Sequence, residues 1–146
     1  MTVGRPNNWD ISLAKYLDDI RSAPFCWDSH CCLKFTNDCV KIVRGFGFAD
    51  DWIGGYKTGV AARKHYKTLL VKQGHKSIIQ AMDARLERVD TAFPVRGTVV
   101  GRPQSEARGV TPIALGIVAS DCAAFIGEQG LLLSPIEASD YLWSVD

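Results

Sequence analysis

A cysteine stands where a helix should begin. In the stretch Pro24-Phe25-Cys26-Trp27-Asp28-Ser29-His30-Cys31-Cys32-Leu33-Lys34-Phe35, the residues just before Cys32 are polar or small, and Leu33 to Val43 has helical character. A thiol in that position faces unpaired backbone N–H groups and the positive end of the helix dipole. Both favour the thiolate, which is the nucleophilic form. The chemistry this would serve is attack on a carbonyl carbon, with a general base to take and return the proton. Three histidines are available for that role. His30 lies two residues before Cys32 and reaches it only if the turn doubles back. His65, near Ala61, Ala62 and Leu69, reads as a partly exposed helix histidine, and His75 as a solvated loop histidine after Gly74. Trp27 and Tyr56 are the candidates for lining a binding groove.

A second chemistry competes for the same segment. Four of the five cysteines (Cys26, Cys31, Cys32 and Cys39) fall within it, so thiolate ligation of a metal as a structural clip is an alternative. The spacing lacks the paired Cys-x2-Cys knuckles of structural zinc sites, and an odd count without a signal peptide does not suggest a disulfide framework. Buried free thiols are the simplest reading, and no cofactor is expected.

The elements that must position these residues follow from periodicity and caps. A first helix runs from Trp9 to about Ser22, with Asn8 as cap and Pro24 as stop. A second covers Cys32 to Arg44, with Phe35, Cys39, Val40 and Val43 facing inward and Gly45 closing it. Gly45 to Lys57 reads as loop. Thr58 caps a third helix from Gly59 to Gln73, and Ser77 a short fourth helix through Ala84. After Val89 the pattern changes to short β-rich runs: Thr98-Val99-Val100, Ile113 to Val118, Ala123 to Ile126 and Leu131 to Leu133. Ile136 to Val145 is expected to dock back on the core. Helices followed by a strand meander give an α+β domain with a small antiparallel sheet.

Of 146 residues, 47% are hydrophobic and 23% charged, the balance of a globular domain. One domain over residues 1–146 is expected, with no repeat or linker dividing it. The formal net charge of +1 provides no global field to draw nucleic acid or an acidic membrane. The basic run Arg63-Lys64-His65-x-Lys67, with Lys72 and Lys76, could touch phosphate or a teichoic-acid polymer, but reads as a solvated helix face at this net charge. Gly101 to Gly109 reads as a polar surface excursion between two strands. No apolar run approaches the roughly 20 residues that span a bilayer, and the first residues lack a secretory h-region. Synthesis in a cytosol, with no membrane insertion, is expected.

Several short motifs, in order, carry a resemblance. Pro24-Phe25-x-Trp27, Cys32, Phe35, Gly54-Gly55-Tyr56, Arg96-Gly97-Thr98-Val99-Val100, Ala114-Leu115-Gly116-Ile117, Gly130-Leu131 and Trp143 resemble an uncharacterised family of small bacteriophage and prophage proteins. That family in turn looks like the NlpC-type cell-wall peptidases, papain-like enzymes common at phage tail tips. The resemblance implies that Cys32 takes the nucleophile position and that a His-x-Gly-Ile strand should supply the base. Here Ala114 occupies the His position, Cys31 replaces the Asp before the nucleophile, Asp28 the Gly after the Trp, and Thr98 the Asp of a Gly-Asp strand. A methyl group accepts no proton.

The expectation is a bacteriophage tail-tip or baseplate structural component on a degenerate NlpC-like, papain-like scaffold, made in the host cytoplasm and carried in the virion. Its partners would be other tail or baseplate proteins, with peptidoglycan as a further one and nucleic acid excluded. The alternative is an active cysteine peptidase or amidase cleaving peptidoglycan as the phage genome enters. A Cys-ligated metal-binding assembly protein is the second alternative.

Overall fold

The computed structural model describes residues 5–27, 30–54, 56–90, 94–104 and 112–145. Four helices precede or surround the start of the sheet: α1 (Trp9–Asp19), α2 (Cys32–Arg44), α3 (Gly59–Lys72) and α4 (Ile78–Asp83). Six strands follow: β1 (Glu87–Val89), β2 (Val99–Pro103), β3 (Ile113–Val118), β4 (Cys122–Gly127), β5 (Gly130–Pro135) and β6 (Tyr141–Ser144). They form one open antiparallel sheet in the order β1-β6-β2-β3-β4-β5. The architecture is α+β. No helix among the described residues is long and apolar enough to cross a membrane.

The cap residues of α3 and α4 act as their types predict. Thr58 Oγ1 accepts from the Ala61 N–H at 3.2 Å, and Ser77 Oγ accepts from the Gln80 N–H at 3.1 Å. Asn8 does not. It sits in the left-handed region at φ 60° and makes no side-chain cap bond. The Trp9 N–H instead bonds to the Pro6 carbonyl, and the Arg5 guanidinium lies over the Trp9 ring at 4.5 Å. α1 also ends at Asp19, short of Ser22, because the chain must turn there to meet the sheet: the Arg21 carbonyl accepts from the Leu131 N–H of β5 at 3.0 Å.

α2 is the pillar of the core. Phe35, Cys39, Val40 and Val43 are fully buried, and Gly45, at φ +93°, ends the helix as a left-handed cap with its N–H on the Lys41 carbonyl. Its face packs on one side of the sheet with Val99, Ile113, Leu115, Ile117 and Trp143. A second, smaller cluster of Val100, Val118, Ala123, Phe125 and Leu142 fills the opposite side.

Two strands escape the sequence reading, β1 and β6. β1 has three residues, two of them charged, which is too short for alternation to show. β6 pairs with both neighbours, placing Leu142 opposite Val89 and Val100. The docking expected of this segment thus takes the form of a strand. Trp143 is fully buried, and its Nε1–H donates to Asp83 Oδ1 at 2.8 Å.

Two polar anchors fix the connections. Arg102 of β2 donates to both carboxylate oxygens of Asp140 at 2.9 and 2.8 Å, to Ser134 Oγ at 2.8 Å and to the Pro135 carbonyl at 2.8 Å. Its guanidinium also lies over the Phe125 ring. Asn37, fully buried on α2, accepts from the Phe48 and Ala49 N–H groups at 2.8 and 3.0 Å and donates to Asp50 at 2.7 Å. The loop after α2 approaches so closely that a Cβ on Gly47 would lie 2.5 Å from Asn37 Oδ1. Asn37→Ala strands two buried donors, and each unpaired group costs about 1–3 kcal/mol. Urea unfolding should therefore show a loss of about 2–4 kcal/mol; a change under about 0.5 kcal/mol would mean water replaces the amide.

Candidate functional site

The hairpin before α2 delivers the two adjacent cysteines. Cys26 and His30 exchange backbone hydrogen bonds of 3.0 and 2.8 Å, and Cys31 follows in extended conformation as the N-cap, with no side-chain cap bond. Cys32 is the first residue of the helix. Asp28 and Ser29 lie outside the described residues, as do Gly55 and residues 105–109 of the polar excursion, whose first three residues, Gly101 to Pro103, belong to β2 and not to a surface loop.

A cavity of about 470 Å³ opens where the start of α2 meets the sheet. Cys32, Ala114, Leu115 and Ile126 line it, together with Phe25 and Trp27, whose rings meet edge-on at 4.6 Å. Polar groups come from Gln104, Glu128 and Tyr66. The sheet register explains the opening. β3 pairs with β4 at Ile117–Ala124 and Val118–Ala123, and beyond them the Leu115 N–H faces the Cys32 sulfur instead. Phe25 is held at the rim by its N–H bond to the Gly127 carbonyl at 3.1 Å.

At Cys32 burial opposes the helix start. Burial pushes its thiol up to about 11, and the N–H groups of Leu115, Leu33 and Cys32 itself, which favour the thiolate, do not overcome that desolvation. At neutral pH the group is a thiol. The helix start supplies the donors that sequence reasoning anticipates, but the apolar walls count for more.

Cys31 also borders the cavity but is buried. Its sulfur lies 3.7 Å from the Tyr56 hydroxyl, which makes a short hydrogen bond to the Tyr66 hydroxyl. Burial raises both phenols above their ordinary range, so neither supplies a phenolate base. Tyr56 is therefore a buried strut behind the cavity and does not line it, whereas Trp27 does.

No histidine lines the cavity among the described residues. His30 packs its ring against Phe35 at 6.3 Å, with a buried Nε2 that has no hydrogen-bond partner, and burial lowers its imidazole below the usual value. His65 is half-buried and donates from Nε2 to the Trp52 carbonyl at 2.7 Å. It is an anchor for the loop at Gly54, where a Cβ would lie 2.9 Å from the ring. The four clustered cysteines also separate: Cys26 is exposed, Cys31 and Cys39 are buried, and no three His, Cys, Asp or Glu side chains converge among the described residues.

What remains is a recess with a neutral thiol on its wall, a methyl group at Ala114, and an amide and a carboxylate from Gln104 and Glu128. It can receive an apolar group, and among the described residues no histidine lines it beside the sulfur. Sequence reasoning passes over Gln104 and Glu128. The one available signal is Gly127-Glu128-Gln129-Gly130, whose two-residue loop between strands marks a hairpin tip.

No curated protein and no solved structure matches this chain significantly. The family described as Domain of unknown function (DUF6950) matches residues 4–145, nearly the whole sequence. The chain belongs to the DUF6950 family.

Proposed function

We propose that this protein is a non-catalytic scaffold of NlpC-like, papain-type architecture that serves by protein–protein contact as a structural component of a bacteriophage tail tip or baseplate. The observation that carries the loss of chemistry is the shared cavity of Cys32 and Ala114. A thiol at a helix start and the strand position that resembles a base position meet there, and the second is a methyl group. The desolvated thiol supports the same reading. Placement in the tail rests on the motif resemblance.

Purified peptidoglycan fragments incubated with the protein and with Cys32→Ala test the first half. No cleavage is expected from either, with folding verified by circular dichroism. Cleavage that disappears in Cys32→Ala would establish an active peptidase or amidase. For the second half, mass spectrometry of purified particles should find the chain at a fixed ratio to the tail proteins. Its absence there would point to an assembly factor that leaves before maturation.

A further inference from the structure

The chain's charge is unevenly distributed. Between Asp51 and Asp83 there is no Asp or Glu, while Lys57, Arg63, Lys64, Lys67, Lys72 and Lys76 all fall inside that span. The net charge of +1 conceals this, because all 16 carboxylate residues lie outside it. Elsewhere several cations pair with a nearby carboxylate, as in Lys15–Asp19, Lys34–Asp38, Lys41–Asp50, Arg85–Asp51 and Arg88–Asp83. Among the described residues Lys64, Lys67 and Lys72 have no ion pair.

α3 turns this charge outward. Ala62 and Tyr66 are its buried residues, and Val60, Lys64, Lys67 and Val71 lie opposite them. Their 4-3-4 spacing makes a single stripe, three turns and about 16 Å long. Both ends are unusually bare: Val60 is 83% exposed and Val71 81%. Two lysines flanked by two aliphatic side chains have the form of one side of a helix–helix seam.

We infer that the outer face of α3 docks an acidic amphipathic helix of another protein, with carboxylates against Lys64 and Lys67 and apolar side chains against Val60 and Val71. A second copy of this stripe would oppose lysine to lysine and is disfavoured. A nucleic acid would meet the lysines through phosphate but would give the two valines nothing apolar to contact. This surface is separate from the Cys32 cavity, so its fate does not depend on whether that cavity is catalytic.

The probe is a fluorescent helical peptide carrying Leu, Glu, Glu and Leu at the same 4-3-4 spacing, titrated with the intact protein by anisotropy at low ionic strength. Saturable binding is expected, weakening as salt screens the pairs. The double variant Lys64→Glu/Lys67→Glu should weaken it by about tenfold or more, and Val60→Ser/Val71→Ser by a smaller factor. All four positions are exposed or on the outer face, and circular dichroism checks that α3 persists. Failure of the peptide to bind, indifference to charge reversal, or equal or tighter binding of a 20-base-pair duplex would each overturn the inference.

Discussion

Iodoacetamide should leave Cys32 almost untouched at neutral pH. The thiol is raised to about 11 by burial, whereas an unperturbed cysteine titrates near 8.5. At pH 7.5 the reactive thiolate is therefore scarcer than in a free thiol by a factor of more than about 100. In a Cys26→Ser/Cys122→Ser background, which leaves Cys32 as the partly exposed thiol beside the buried Cys31 and Cys39, labelling of Cys32 should proceed at least about 100-fold more slowly than that of free cysteine. The rate should then climb about tenfold per pH unit until it levels off near pH 11. The sign follows from the acid: a raised value means the charged, reactive form accumulates only as pH rises. A rate that matches free cysteine, or a plateau below about pH 8.5, would show that the helix start prevails over the apolar walls, and would return Cys32 to the class of activated nucleophiles.

Asp140→Ala should cost the fold about 3–5 kcal/mol, the range for breaking a buried ion pair from one side. The Asp140 side chain is wholly inaccessible and that of Arg102 is 19% exposed, so the surviving guanidinium would have little water to turn to. The carboxylate also accepts from the Glu137 N–H at 2.8 Å, so the turn before β6 loosens with it. Restoring apolar contact should recover much of the loss. Arg102→Met in the same chain places a flexible thioether against the Phe125 ring that the guanidinium now covers. Urea midpoints of the single and double variants measure both effects. A loss below about 1 kcal/mol in Asp140→Ala would mean that the pair behaves like a surface salt bridge.

The helical half of the molecule is legible because its signals are local. Thr58 and Ser77 sit one residue ahead of helices they cap, and Gly45 stops α2 where only a positive φ fits. The β3 to β5 runs are readable as apolar segments cut by Gly, Asp and Ser. β1 and β6 are not, since two of β1's three residues are charged and the pairing that makes them strands comes from partners far away in the chain. The Arg102–Asp140 pair spans 38 residues with no local pattern, and Asn37 reads as one more polar helix residue until the loop folds over it. At the site, the meeting of Cys32 with the Ala114 strand follows from motif order. The state of the sulfur does not, because desolvation depends on how completely Leu115 and its neighbours close around it, and no spacing encodes that.

The position of β6 in the sheet has a bearing on biogenesis. The last strand of the domain lies between β1 and β2, with Trp143 anchored on Asp83. On a ribosome, everything through β5 emerges while the slot between β1 and β2 stands open, with two unsatisfied strand edges and with Asp83 lacking its Trp143 donor. Such edges invite pairing with other chains. Completion of the sheet therefore waits for β6 to emerge, and until then the slot is open to strands of other chains.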